Sequence, residues 1–221
     1  MLEYVRKDLL YENPLSCEDC IKGFVLEGQA KISFSGGRML MENALDESLG
    51  QGSNFVLWCP EDFTGDIEIS WRFKPLREPG LAIMFFSALG LGGEDIFSLP
   101  GRTGEYDQYH SGGINCYHVS YFRRRWPQER EFHTCNLRKS KGFHLVAQGA
   151  DPLPGVEDAK EDYEILIVKL GSDIGFYIDG LLIFEWHDNG ALGPVLEVGK
   201  IGFRQMAPLV AAYSDLRVYR V

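Results

Sequence analysis

The sequence predicts an all-β fold of the sandwich or barrel type. Helical periodicity is nearly absent, while strand-like segments recur along the whole chain between Gly, Pro, Asn and Asp signals. About a dozen short strands separated by such turn residues are typical of sandwiches and barrels. Two local patterns support this: a clean alternation over residues 66–73, and an Asp-Gly pair at residues 179–180 between two apolar runs.

The individual strands follow from apolar alternation or from short apolar runs that end at turn residues. In residues 66–73, Ile67, Ile69, Trp71 and Phe73 fall on one face, because side chains along a strand alternate. Asp-Gly between apolar runs predicts a two-residue type I′ hairpin, in which both central residues need positive φ. In chain order the predicted strands are 31–34, 38–41, 54–59, 66–73, 81–88, 118–124, 132–138, 144–147, 163–170, 174–178, 181–186, 200–206 and 212–221.

Two long loops interrupt this pattern. Residues 88–113 contain seven glycines and mixed charge, and residues 149–162 contain an Asp-Pro-Leu-Pro-Gly stretch followed by acidic residues. Long loops in a compact domain often form the lid or wall of a site. No domain boundary is indicated, so we expect a single domain over residues 1–221.

Composition and charge exclude some classes of function. Of the 221 residues, 45% are hydrophobic and 24% are charged, as in ordinary globular proteins. The net charge of −10 argues against nucleic acid and anionic membranes as partners. The chain has neither a secretory signal nor an apolar run long enough to span a membrane, so we expect a cytoplasmic protein.

Five cysteines are an odd count, and we interpret all five as reduced thiols. The Cys17-x-x-Cys20 spacing could be half of a zinc site, but no second Cys or His pair stands at a matching distance. We therefore interpret this pair as incidental.

A basic segment stands out in this acidic chain. Residues 116–148 hold seven of the 22 Lys and Arg residues and only two acids, Glu129 and Glu131. This distribution favours a local anionic ligand. The alternative is that the cations only balance neighbouring carboxylates.

Polar side chains on the predicted strands 118–124 and 132–138 form the candidate ligand site. Alternation groups His118, Ser120, Phe122 and Arg124 on one face of the first strand, and Thr134, Asn136 and Arg138 on one face of the second. Arginine binds carboxylates with two hydrogen bonds, amides bind hydroxyl groups, and aromatic rings pack on sugar rings. This chemistry suggests an acidic sugar such as galacturonate, although parity leaves open which face meets it and cross-strand ion pairs are the alternative. The predicted ligand-binding residues are Tyr121, Arg123, Trp126, Asn136, Arg138, Lys139 and Arg204.

Histidines are the predicted proton-transfer groups. His110, His118 and His144 lie in or beside this region, and histidine titrates near neutral pH. Their spacing matches no metal motif, so we expect no metal site and assign no cofactor. The sequence assigns no oligomeric state either.

Retaining glycosidases need two carboxylates roughly 5 Å apart. The nearest match, Glu105-x-Asp107-x-x-His110, has histidine in the last place, which disfavours that mechanism.

The closing strands resemble concanavalin-A-like lectin/glucanase sandwiches, through residues 177–186, 199–204 and 213–219. Nearly the whole chain resembles the YesU-like family of bacterial proteins of unknown function. The residues that carry this match are 55–60, 102–104, 109–112, 120–124, 134–140, 142–144, 150–154 and 199–208.

This resemblance implies a jelly-roll sandwich of two antiparallel sheets with a carbohydrate-binding concave sheet. It also implies a link to the use of pectic polysaccharides, especially rhamnogalacturonan. We therefore expect a carbohydrate-active protein that binds an acidic oligosaccharide, as a hydrolase or lyase. The alternatives are a non-catalytic carbohydrate-binding module and an interaction protein without a ligand.

Overall fold

The computed structural model describes residues 2–221 as two antiparallel sheets that pack face to face in a jelly-roll sandwich. The eight-stranded sheet has the order β13-β12-β11-β6-β15-β4-β3, and β1 pairs with β15. Its strands are β1 (Leu9–Asn13), β3 (Ala30–Ser35), β4 (Arg38–Asn43), β6 (Ile67–Arg77), β11 (Tyr163–Leu170), β12 (Asp173–Ile178), β13 (Leu181–His187) and β15 (Val210–Arg220).

The seven-stranded sheet has the order β10-β9-β8-β7-β14-β5-β2. Its strands are β2 (Val25–Gly28), β5 (Phe55–Thr64), β7 (Leu81–Gly90), β8 (Ile114–Tyr121), β9 (Thr134–Ser140), β10 (His144–Ala150) and β14 (Val198–Met206). The helical pieces are the α-helices α1 (Asp107–His110) and α2 (Pro127–Glu131) and the 3₁₀ turns Glu18–Ile21, Glu47–Ser53 and Ile96–Ser98.

The main core lies between the two sheets and is rich in aromatic rings. Trp71 and Phe73, on β6, alternate towards this interior as predicted. Phe73 meets the Tyr121 ring at 5.0 Å and the Tyr213 ring at 5.5 Å, and Trp71 meets Phe203 at 5.9 Å, largely edge to face. Such contacts add stability beyond the burial of apolar area.

Each strand predicted from the sequence overlaps a strand of the structure, although several ends differ. The predicted hairpin is confirmed: Asp179 and Gly180, with φ of 47° and 74°, connect β12 and β13. β1 and β2 were not predicted. The predicted strand over residues 132–138 starts two residues too early, because Phe132 caps the short helix Pro127–Glu131 through its backbone N–H, which donates to the Gln128 carbonyl oxygen, and β9 begins at Thr134. Proline suits a first helical turn, where its missing N–H costs nothing.

A second apolar layer covers part of the outer face of the seven-stranded sheet. The long loop after β7 folds back over this face, so that Tyr109 stacks on Phe85 at 5.3 Å, next to Trp58. The loop therefore protects one half of the face and forms a wall beside the other half.

No helix within residues 2–221 is long and apolar enough to cross a membrane.

Candidate functional site

A cleft of about 220 Å³ lies on the uncovered half of this outer face. Strands β7, β8, β9 and β14 form its floor, and the loop after β7, α2 and the β9–β10 turn form its walls. Its lining residues are Gln51, Leu81, Ile83, Tyr106, Ser120, Arg123, Trp126, Glu129, Asn136, Arg138, Phe143 and Met206. Four of the seven predicted ligand-binding residues are among them: Arg123, Trp126, Asn136 and Arg138.

The backbone at the end of β8 decides which side chains reach the cleft. Ser120 lines the cleft and Tyr121 points into the core, as alternation requires. Phe122 then adopts a φ of 46° and also packs into the core, so that Arg123 returns to the cleft. The parity of the predicted strand 118–124 is therefore broken at Phe122, and the grouping of Phe122 and Arg124 with His118 was wrong.

Strand β9 follows its predicted parity. Asn136 and Arg138 line the cleft, while Cys135 and Leu137 pack into the core. The structure thus shows which face of β9 lines the cleft, a choice that the sequence left open. With its amide oxygen turned towards Arg123, Asn136 accepts a hydrogen bond from Arg123 Nη1 at 3.0 Å.

Arg138 has no carboxylate partner among residues 2–221. Its guanidinium carbon lies 3.7 Å from the centre of the Phe143 ring, and Nη1 donates to the Phe143 carbonyl oxygen at 3.0 Å. Burial, together with the positive charge of Arg123, lowers the pKa of Arg138. Arg138 is thus a half-buried cation at the cleft surface without a carboxylate partner in the described residues.

Arg204, on β14, is a second cation without a carboxylate in the described chain. It is fully buried, and its Nη2 donates to Gln51 Oε1 at 3.0 Å and to the Gly104 carbonyl oxygen at 3.1 Å. The Tyr106 ring covers it at 4.7 Å, and its Nε and Nη1 have no hydrogen-bond partner within the described residues. Burial lowers the pKa of Arg204 to about 10. Arg204 therefore lies behind Tyr106 and adds positive charge beneath the cleft.

Tyr106 and His118 form a hydrogen-bonded pair beside the cleft. The distance between Tyr106 Oη and His118 Nε2 is 2.7 Å. His118 is fully buried, and burial, with Arg138 as a further cause, lowers its pKa well below the ordinary value. The imidazole is therefore neutral at physiological pH. Tyr106 lines the cleft and His118 does not, so any action of His118 on a ligand would pass through Tyr106.

The other two predicted proton-transfer residues also lie outside the lining. His110 is half-buried against the rings of Phe143 and Tyr106, at 4.7 and 4.8 Å, and burial lowers its pKa. His144 is exposed on β10, an edge strand of the sheet. His110 therefore supports the cleft wall, and His144 lies beside it.

Tyr121 and Lys139 were predicted to bind ligand, and the structure places both on the inner face. Tyr121 is fully buried and accepts a hydrogen bond from Trp71 Nε1 at 3.0 Å. Lys139 is 1% exposed, with Nζ 2.6 Å from Asp188 Oδ2. Neither side chain can touch a ligand in the cleft.

Four of the seven cations of the basic segment form ion pairs with carboxylates, and three, Arg130, Arg138 and Lys141, form none within residues 2–221. Arg123, Arg124, Arg125 and Lys139 each form an ion pair, with Glu129, Asp151, Glu47 and Asp188 respectively. For these four, the alternative that they balance carboxylates is confirmed. Arg138 differs, because it faces the cleft without such a partner.

Eight of the twelve lining residues were not predicted to bind ligand, and four of these eight lie outside the strands of the floor: Gln51, Tyr106, Glu129 and Phe143. Glu129 is the one carboxylate among the lining residues; it pairs with Arg123 at 2.7 Å and accepts from the Trp126 backbone N–H at 3.1 Å. The sequence carried a signal for Glu129, because a Glu two residues after a proline suits the first turn of a helix.

The chemistry of the cleft suits binding better than double-displacement glycoside hydrolysis. Glu105 and Asp107 are exposed and lie outside the lining, so the near match to a glycosidase motif places no second carboxylate beside Glu129. Within residues 2–221, no group of three or more His, Cys, Asp or Glu side chains could hold a metal ion.

Comparisons with known proteins agree on family and fold. The chain is 49% identical over 214 residues to the uncharacterized protein YesU of Bacillus subtilis (strain 168), covering 96% of this chain and 95% of that protein. It is similar to the crystal structure of a protein of unknown function with a galectin-like fold from Bacillus subtilis, with 48% identity, a TM-score of 0.95 and coverage of 99% and 98% of the two chains.

A more distant likeness is to LamA of Z. galactanivorans in complex with laminaritriose and laminaritetraose. Identity is 10%, the TM-score is 0.64, and 98% of this chain and 100% of that chain are covered, so this likeness concerns the fold alone. The family described as "Domain of unknown function (DUF1961)" matches residues 8–218. The chain therefore belongs to the DUF1961 family and has the galectin-like jelly-roll fold of its Bacillus relative.

Proposed function

We propose that this protein binds an acidic oligosaccharide in the cleft beside Tyr106, with the sugar carboxylate on Arg138. The observation that carries this proposal is the Arg138 guanidinium, which faces the cleft and has no acidic partner in the described chain. A half-buried cation without a counter-ion raises the energy of the empty site, and a carboxylate relieves this while accepting two hydrogen bonds.

The other lining groups fit a sugar ring. Ser120 and Asn136 offer hydroxyl and amide groups on the floor, while the exposed rings of Trp126 and Phe143 stand at the rim. Polar groups on the floor and aromatic rings at the edge match the hydroxyl groups and apolar faces of a pyranose. The volume lies below the ~300–1,000 Å³ of common ligand pockets, which favours one or two sugar units over a long chain.

Galacturonate is a pyranose that carries the required carboxylate. We propose that it reaches the protein in fragments of pectin or rhamnogalacturonan. The distant structure of LamA with bound laminari-oligosaccharides supports the use of this fold for sugars. We further propose a cytoplasmic location, in keeping with the free cysteines.

The first test is a thermal-shift screen against galacturonate, rhamnose and saturated and unsaturated rhamnogalacturonan disaccharides. A ligand that binds only the native state raises Tm. We expect a rise with the acidic sugars that is lost in Arg138→Ala. Arg220→Ala is the matched control, because Arg220 is exposed on β15 of the other sheet and should leave the shift unchanged. Equal shifts in both variants would place binding elsewhere, and a flat screen would favour an interaction protein.

A second candidate function is elimination at the bound uronate, and the Tyr106–His118 pair favours it. In such a lyase, a base removes the C5 proton, the C4–O bond breaks, and the leaving oxygen takes up a proton. Tyr106 Oη could remove the C5 proton while passing its own proton to His118 Nε2, which returns it for the leaving oxygen. Arg204 and Arg138 lower the pKa of Tyr106 against the effect of burial, which raises it to about 12.

Elimination makes a conjugated product that absorbs in the ultraviolet. If Tyr106 transfers the proton, Tyr106→Phe should lower kcat by about 10²–10⁴-fold, the usual contribution of a general acid or base, while ligand affinity stays within about threefold. Arg220→Ala should keep the activity of the wild type. Binding without any absorbing product in the wild type would leave a non-catalytic module, and equal rates in Tyr106→Phe would exclude this role for the phenol.

A further inference from the structure

The Cys17-x-x-Cys20 pair lies outside the cleft. Cys17 is exposed, Cys20 is half-buried, and the 3₁₀ turn Glu18–Ile21 brings their Sγ atoms to 2.7 Å. The two thiols are in direct hydrogen-bond contact, and either sulfur can be the donor. The backbone thus already holds the two thiols within reach of a covalent bond.

Contacts on both sides fix this segment. Asn13 donates through Nδ2 to the Cys20 carbonyl oxygen at 2.6 Å and accepts from the Leu15 backbone N–H at 2.8 Å. Leu15 is fully buried in the core, and Ile21 packs against it. The sulfur atoms therefore sit on an anchored turn, and a bond between them requires little backbone movement.

The other three cysteines are in a different environment. Cys59, Cys116 and Cys135 are at most 1% exposed, and burial raises the pKa of each thiol, to about 11 for Cys59 and about 12 for Cys116. Thiolates are the reactive species, so these three thiols are unreactive for two reasons: reagents cannot reach them, and they stay protonated. At the pair, the Cys17 thiol lowers the pKa of Cys20, and the pKa of Cys17 itself is raised.

We propose that Cys17 and Cys20 form a reversible dithiol–disulfide site for exchange with small-molecule disulfides such as glutathione disulfide. Cys17 is the attacking residue because it is the more exposed of the two, although its pKa is raised. Its thiolate attacks one sulfur of glutathione disulfide, which forms a mixed disulfide and releases one glutathione thiolate. The Cys20 thiolate then attacks the Cys17 sulfur and releases the second glutathione. The protein dithiol is oxidised by two electrons, glutathione disulfide is reduced to two glutathione molecules, and the two thiol protons pass to these products.

The Cys17–Cys20 pair lies where the chain passes from one sheet to the other. The segment joins β1, in the eight-stranded sheet, to β2, in the seven-stranded sheet. Oxidation therefore modifies the crossing of the chain between the two layers, and no lining residue of the cleft is involved.

The test is oxidation of the reduced, native full-length protein by glutathione disulfide, followed by alkylation, intact mass and peptide mapping. We expect an internal Cys17–Cys20 disulfide, with the loss of two hydrogens and of two alkylatable thiols. We also expect Cys17 in the reduced protein to react with an aromatic disulfide reagent more than about tenfold faster than the buried cysteines.

The variants Cys17→Ser and Cys20→Ser separate this proposal from ordinary surface reactivity. Cys20→Ser should retain glutathione on Cys17, because the resolving thiol is absent. Cys17→Ser should lose most of the fast reaction, because Cys20 is less exposed. A wild-type protein that accumulates mixed disulfide without closing the internal bond, or that leaves Cys17 unmodified, would overturn the proposal.

Discussion

Replacing Asp188 by alanine is expected to destabilise the protein by about 3–5 kcal/mol, because it leaves Lys139 as an unpaired charge in the interior. Lys139 Nζ lies 2.6 Å from Asp188 Oδ2 and 2.8 Å from the Gly193 carbonyl oxygen, and both side chains of the pair are 1% exposed. Tyr117 also donates its hydroxyl proton to Asp188. Urea unfolding of wild type and variant measures the difference.

The double variant Lys139→Met, Asp188→Leu is the control for this effect. Removing both charges and filling the space with apolar groups of similar size should restore most of the lost stability, since a buried ion pair often adds little over an apolar pair. A single variant Asp188→Ala as stable as the wild type would show that the pair is hydrated in solution, contrary to its burial in the structure.

The Lys139–Asp188 pair also makes the free energy of unfolding depend on pH. Burial acts to raise the pKa of Asp188, but the hydrogen bonds from Lys139 and Tyr117 outweigh it, so the folded-state pKa is lowered. A carboxyl group whose pKa is lower in the folded state stabilises the fold at pH values above its unfolded-state pKa, which is about 4. This contribution should be lost as the pH falls through the folded pKa, below about 4, and should be absent from the double variant.

Replacing Glu27 by alanine is expected to have a comparable effect, and to loosen the wall of the cleft. Glu27 is 7% exposed on β2 and accepts from Trp58 Nε1 at 2.9 Å, from the Tyr109 hydroxyl at 2.8 Å and from Arg102 Nη2 at 2.6 Å. Arg102 and Tyr109 belong to the long loop that covers the outer face. The variant would bury the charge of Arg102 without a partner, at a cost of about 3–5 kcal/mol.

Hydrogen exchange of residues 96–110 measures this loosening, and urea unfolding measures the stability. Because Tyr106 lies in the same loop, affinity for an acidic sugar should fall as well. Glu42→Ala is the matched control: Glu42 forms two longer ion pairs of 3.5 Å at the surface, with Lys31 and Arg77, so its loss should cost at most about 1 kcal/mol. Equal stability and equal exchange in the two variants would contradict the anchoring role of Glu27.

The fold was predictable because its signals are local. Alternation at Ile67, Ile69, Trp71 and Phe73 places a strand and its buried face, and Asp179-Gly180 fixes a hairpin. β1 and β2 were missed because their residues show neither alternation nor an apolar run. Tertiary pairing with β15 and β5 supplies what the local pattern lacks.

The candidate site was predictable only in part, because parity fails where the backbone leaves the strand. Asn136 and Arg138 follow from alternation along β9, but the positive φ of Phe122 turns Arg123 towards the cleft. Lys139 shows a second reason. A cation in a strand suggests solvent or ligand, and its buried partner Asp188 lies 49 residues away in the sequence, out of reach of local patterns.

The central claim, that the cleft recognises the carboxylate of a sugar, is tested most directly by titration calorimetry with digalacturonate and with its methyl ester. The two ligands share a sugar framework, and the ester removes the charge that Arg138 would bind. We predict that the acid binds at least about tenfold more tightly, which corresponds to about 1.4 kcal/mol, and that Arg138→Ala removes the difference. Equal affinity of the wild type for acid and ester, or binding of neither, would contradict the account.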